Sequence, residues 1–141
     1  MSPPTVIGEG TYGCVHKPSL KCKNKHKIND KNIVSKLMTD QDAKEELEEF
    51  KLIKKDDETE NFHLAKPKSC KVENNIDNHL AIRNCSGFKP DLIDNYSLLL
   101  LKYGGTDLRQ FGKYIKELSH NDDNTRIIEH FWLEVSRILF G

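Results

Sequence analysis

Apolar positions along the chain fall into short runs near the N-terminus and long helical periods near the C-terminus. Thr5-Val6-Ile7 is a β-branched run ending at Gly8, and Cys14-Val15-His16-Lys17 is a second that stops at Pro18. The glycine-rich stretch between them predicts a hairpin. Ile33 to Met38 predicts a third strand. Ala43, Leu47, Phe50 and Ile53 then recur at helical spacing, with Thr39 or Asp40 as candidate caps and acids in the first turns where the helix dipole favours them. This helix is expected to end near Asp57.

Further on, His79 to Arg83 reads as a strand, Cys85 to Asn95 as an irregular connection, and Ser97 to Lys102 as an apolar strand cut off by Gly104-Gly105. Two helices close the chain, roughly 107–118 and 125–140. The second is amphipathic through Ile127, Ile128, Phe131, Trp132, Val135, Ile138 and Leu139, which places Phe131 and Trp132 in a core. The order predicts an α+β fold: a five-stranded antiparallel sheet with one helix over 1–103, then helices over 104–141.

Composition narrows the class. With 36% hydrophobic residues in 141, a core is affordable but modest. The longest apolar run is Leu98 to Leu101, far short of a membrane span. The N-terminus lacks a basic and apolar leader, so Cys14, Cys22, Cys70 and Cys85 are expected to be free thiols of a cytoplasmic protein. The 22 basic and 22 acidic residues cancel, but unevenly: lysines crowd 17–36 and acids crowd 40–60. A solvated loop and the wet face of a helix account for both. Nucleic-acid binding through Lys17 to Lys31 is disfavoured, because no aromatics are interleaved for base stacking. Zinc could be held by Cys14, His16, Cys22 and His26, but no C-x-x-C pair supports it, and no metal site is assigned.

The chemistry concentrates in Gly8-Glu9-Gly10-Thr11-Tyr12-Gly13-Cys14-Val15, which fits G-x-G-x-x-G-x-V. A dinucleotide fingerprint needs a helix after the glycines, and Pro18 prevents one. The alternative is a glycine flap between antiparallel strands, whose backbone can approach a triphosphate because no Cβ intervenes. Such a flap requires a lysine on the next strand and a carboxylate on the following helix. Lys36 fits the first, and Glu49 is preferred over Glu46 for the second, since the apolar residues after Glu49 turn toward the sheet. Tyr12 at the flap tip reads as a turn aromatic.

With these residues in order, the chain resembles the N-terminal lobe of eukaryotic-type serine/threonine protein kinases, in particular those of large nucleocytoplasmic DNA viruses. The resemblance runs from Thr5 through the helix containing Trp132. It implies that Leu98-Leu99-Leu100-Leu101-Lys102-Tyr103-Gly104 is the hinge, with Leu101 as gatekeeper. It further implies that the Lys102 carbonyl and Gly104 N–H bind adenine and that Asp107 lies near the ribose. Ile7, Val15, Val34 and Leu101 would line the adenine pocket, Gly8, Gly10 and Gly13 would cover the phosphates, and Lys36 would contact them. ATP is the implied cofactor, with Mg²⁺ expected only in the complete protein and a protein hydroxyl as substrate, in the host cytoplasm or virion.

The chain departs from the family at Val34, where alanine is usual, and in its short Lys36 to Glu49 spacing. It also contains neither H-R-D-x-x-x-x-N nor D-F-G. His120-Asn121-Asp122 and Gln110-Phe111-Gly112 are near-matches lacking the chemistry. The expectation is a truncated kinase, inactive alone, whose last helix leaves apolar surface exposed and promotes association. A pseudokinase-like interaction module is the alternative.

Overall fold

Tyr96 to Leu100 is an unbroken buried run, and Leu98 and Leu99 are fully buried on opposite faces of one strand. A strand with both faces covered needs packing layers on either side, and the chain supplies them. The computed structural model describes residues 2–24, 32–56, 66–105, 108–118 and 125–140. Its strands are β1 (Thr5–Gly10), β2 (Gly13–Lys17), β3 (Ile33–Thr39), β4 (Lys68–Lys71) and β5 (Tyr96–Lys102). They form one antiparallel sheet in the order β1-β2-β3-β5-β4. The fold is α+β.

Helix α1 (Asp40–Asp56) follows β3 with no intervening loop. The Thr39 hydroxyl accepts the Asp42 N–H at 3.2 Å, so Thr39 is the cap that starts it. Ala43 and Leu47 then lie against Met38, Leu99 and Leu101 on one face of the sheet. The opposite face presents Cys14, Leu37, Leu98 and Leu100 to a larger core containing Leu20, Val72, Ala81, Ile82 and Ile93. Burying a leucine of this kind contributes about 1.5–3 kcal/mol, which makes this second face the main source of stability.

The structure corrects one predicted strand. Residues 79–83 belong to a helix, α2 (Ile76–Ile82), and the fourth strand is Lys68–Lys71. The Asn75 side chain caps this helix by accepting the Asn78 N–H at 2.9 Å. Asn78, Ala81 and Ile82 are buried at helical spacing, whereas Leu80, which a strand would have put inside with Ile82, is exposed. A short 3₁₀ segment, Pro90–Asn95, leads into β5.

The chain divides into two compact units, Met1–Gly104 and Gly105–Gly141. The second contains α3 (Leu108–Leu118) and α4 (Thr125–Phe140), which meet through the Phe111 and Phe131 rings at 5.0 Å. Phe131 is half-buried there. Trp132, expected in a core, is exposed, because it points off the face that meets α3. No helix among the described residues is long and apolar enough to cross a membrane.

The free-thiol expectation is overturned. Cys14 is disulfide-bonded to Cys85 and Cys22 to Cys70, at sequence separations of 71 and 48 that no local spacing reveals. The thiol argument for a cytoplasmic location goes with it.

Candidate functional site

Directly opposed residues in an antiparallel ladder share a face, and positions two apart return to it. The register pairs Gly8 with Val15, Val15 with Lys36, and Lys36 with Leu99, which makes one cross-strand row. The next row contains Val34 opposite Leu101. Gly8, Val15, Val34, Lys36 and Leu101 therefore share the face on which α1 packs. Five predicted site residues from four strands converge there.

Lys36 forms an ion pair with Glu46, and both side chains are largely buried. Glu49 is exposed and is not the partner. The reason is helical geometry. Residues 43, 46, 47 and 50 lie within one face of α1, whereas Glu49 is turned about 120° from Ala43. Because α1 begins immediately after β3, the acid that its inner face brings to Lys36 is Glu46, ten residues further along the chain. The stem of Lys36 crosses Gly13, where there is no side chain to obstruct it.

The glycines differ from one another. Gly8 and Gly10 lie inside β1, and the hairpin turn is the pair Thr11-Tyr12, so the flap is tighter than its glycine content suggests. A Cβ at either position would meet nothing within 4 Å. Packing within the protein does not demand glycine there. Ile7 coincides with a bulge between Val6 and Gly8 and is half-exposed, outside the paired rows.

At the far end of β5, Lys102 opposes Ile33, and the Tyr103 N–H donates to the Asn32 carbonyl at 2.6 Å. Lys17 Nζ stands 3.3 Å above the Tyr103 ring, a cation–π contact that joins β2 to this segment. Gly104 is exposed, and Gly105 has φ +92°, a left-handed value that favours glycine. Asp107 lies outside the described residues, as do His26 and His120 to Asp122. Gln110-Phe111-Gly112 is inside α3, with the Phe111 ring packed on Phe131.

The reverse face of the flap carries features that motif reading missed. Glu9 accepts the Ser86 N–H at 2.6 Å, the Ser86 hydroxyl at 2.7 Å and the Gly87 N–H at 3.4 Å. The Ser86 hydroxyl is the main reason that its carboxyl is held below the usual glutamate range. Next to it, the Cys14–Cys85 disulfide ties the start of β2 to the same turn. The flap is thus anchored from behind, leaving the Lys36 face as its other surface. A pocket of about 580 Å³ lies at the flap tip, with Gly10, Tyr12, Asp42, Phe88 and Tyr96 among its walls, and it includes none of Lys36, Val34 and Leu101.

His16, also on this reverse face, is fully buried. Burial lowers its pKa, and backbone groups of Ala81 and Cys14 partly oppose the shift. Only its alternation with Cys14 on one strand hinted at a shared environment; Cys85 came from too far along the chain to be seen. Comparison with protein-family models, curated proteins and solved structures found no match.

Proposed function

We propose that these residues are the ATP-binding portion of a serine/threonine protein kinase. The observation that carries the reading is the shared sheet face, where Gly8, Val15, Val34 and Leu101 surround a lysine already paired with a helix carboxylate. In this reading Val15, Val34 and Leu101 contact adenine and the β1–β2 flap lies over the phosphates. Lys36, oriented by Glu46, neutralises phosphate charge. Lys102 and Gly104 offer backbone groups to the adenine edge. That Gly8 and Gly10 serve no packing need supports close approach of a ligand to the flap backbone.

The residues that would orient the substrate hydroxyl and hold Mg²⁺ do not occur in this sequence. The reading therefore assigns nucleotide holding to these 141 residues and phosphoryl transfer to the complete kinase. The same lack favours, as a second reading, an interaction module that retains the fold without catalysis.

Calorimetric titration with Mg-ATP separates the two. Saturable binding that weakens about tenfold or more in Lys36→Ala, the loss expected for one charge-assisted contact, supports the nucleotide reading. No binding by the folded wild-type chain leaves the interaction module.

A further inference from the structure

Four polar side chains are buried in the described part of the protein: His16, Ser35, Asn78 and Ser97. Three are satisfied. Ser35 accepts the Leu20 N–H at 2.8 Å, and Asn78 bonds Lys21 and Glu73 through both ends of its amide. Ser97 donates to Asp40 at 2.6 Å. His16 is the exception: Nδ1 has no hydrogen-bond partner among the described residues, and Nε2 has only long contacts, 3.4 Å to the Ala81 carbonyl and 3.5 Å to Cys85 Sγ. A buried imidazole left in this state calls for a ligand or a chemical role.

Its neighbours supply the chemistry. Cys85 Sγ is 3.5 Å from His16 Nε2, and the ligand atoms of Cys14, His16 and Cys85 all lie within 4.8 Å of one another, with all three residues buried. A tetrahedral zinc ion with bonds of about 2.3 Å to sulfur and about 2.0–2.1 Å to nitrogen requires a sulfur to nitrogen edge of about 3.6 Å. The Cys85 to His16 edge already has that length. Two thiolates would cancel the charge of a divalent cation, so the filled site is neutral and compatible with burial.

We propose that Cys14, His16 and Cys85 form a zinc site when the Cys14–Cys85 disulfide is reduced. A dithiol reductant cleaves the S–S bond, becomes a disulfide itself, and delivers two electrons and two protons, giving a thiol on each cysteine. Zinc then displaces both protons to water and bonds both sulfurs and one imidazole nitrogen, with water as a fourth ligand. Cys85 sits in a turn whose flanking residues Asn84, Ser86 and Gly87 are exposed, which gives reductant and metal a route inward. A small-molecule disulfide that takes the two electrons back, with two protons from water, becomes a dithiol, re-forms the Cys14–Cys85 bond and releases the metal. The site is on the face of β2 opposite Lys36, so it stands or falls independently of nucleotide binding.

The test uses the full chain with Cys22→Ser and Cys70→Ser, reduced with a phosphine and titrated with Co²⁺ as a spectroscopic substitute for zinc. One equivalent should produce a sulfur-to-cobalt charge-transfer band that zinc abolishes. His16→Ala should weaken binding by at least about tenfold, and the unreduced chain should give no band. A folded, reduced chain without the band, or a band indifferent to His16→Ala, overturns the proposal. Should the double serine variant fail to fold, X-ray absorption on the reduced, zinc-loaded wild type decides. Two sulfurs with at least one imidazole nitrogen support the site, and four sulfurs or none overturn it.

Discussion

Gly13 lies directly against the side chain of Lys36: a Cβ at this glycine would stand 2.9 Å from Lys36 Cε and 3.0 Å from the Leu37 carbonyl oxygen. The lysine can bend, but the β3 carbonyl cannot. Gly13→Ala is therefore expected to destabilise the fold by about 1–3 kcal/mol and to displace the ammonium from Glu46. Gly8→Ala and Gly10→Ala should leave stability within about 0.5 kcal/mol, because open space surrounds both positions. Urea denaturation of the three variants checks the contrast. If the flap covers phosphates, the latter two lose Mg-ATP affinity while keeping their stability.

The pairing of Lys36 with Glu46 separates two acids that look alike in sequence. Glu46→Gln leaves a largely buried ammonium without its counter-charge, and roughly 1 kcal/mol or more of stability should be lost. Glu49→Gln, on the exposed side of α1, should change stability by less than about 0.5 kcal/mol. Equal effects in the two denaturation curves would contradict the assigned pair.

Acid should loosen the back of the flap. The Glu9 pKa is lowered, chiefly by the Ser86 hydroxyl, so the native state binds its proton less readily than the unfolded chain. The stability it contributes is present above the ordinary glutamate range and is lost as pH falls through the lowered value. Asp40 behaves in the same sense. Burial raises its pKa, but the bonds from Lys71 and Ser97 outweigh that and hold it below the ordinary range. Protection of the Ser86 amide against exchange, taken relative to its intrinsic rate at each pH, should fall on acidification, and Glu9→Gln should remove most of that pH dependence.

The Cys22–Cys70 disulfide closes a long loop and fastens residues 21–23 beside 71–73, where Lys23 N–H donates to the Lys71 carbonyl and Glu73 N–H to that of Lys21. Replacing both cysteines by serine should cost up to about 4 kcal/mol, the chain-entropy value for a loop of this length. An unchanged denaturant midpoint would show that the pair is open in solution.

Much of the fold was legible locally. The start of α1, the closing helices and the strands 33–38 and 97–102 followed from apolar period, caps and glycine punctuation, which act over a few residues. The segment 79–83 was misread because a short apolar run fits either period, and only burial of Asn78 with Ala81 and Ile82 distinguishes them. Lys68–Lys71 carries no strand pattern of its own; it is extended because β5 offers an edge to pair with.

The sequence alone determined that a glycine-flanked hairpin precedes a lysine strand and an acidic helix, because these are matters of order and spacing. Only the tertiary structure decided which acid meets Lys36, since that depends on where α1 starts and which of its faces is turned inward. It alone also joined Cys14 and His16 to Cys85. Contacts across 71 residues are set by sheet pairing and core packing, and no local pattern of residue types encodes them.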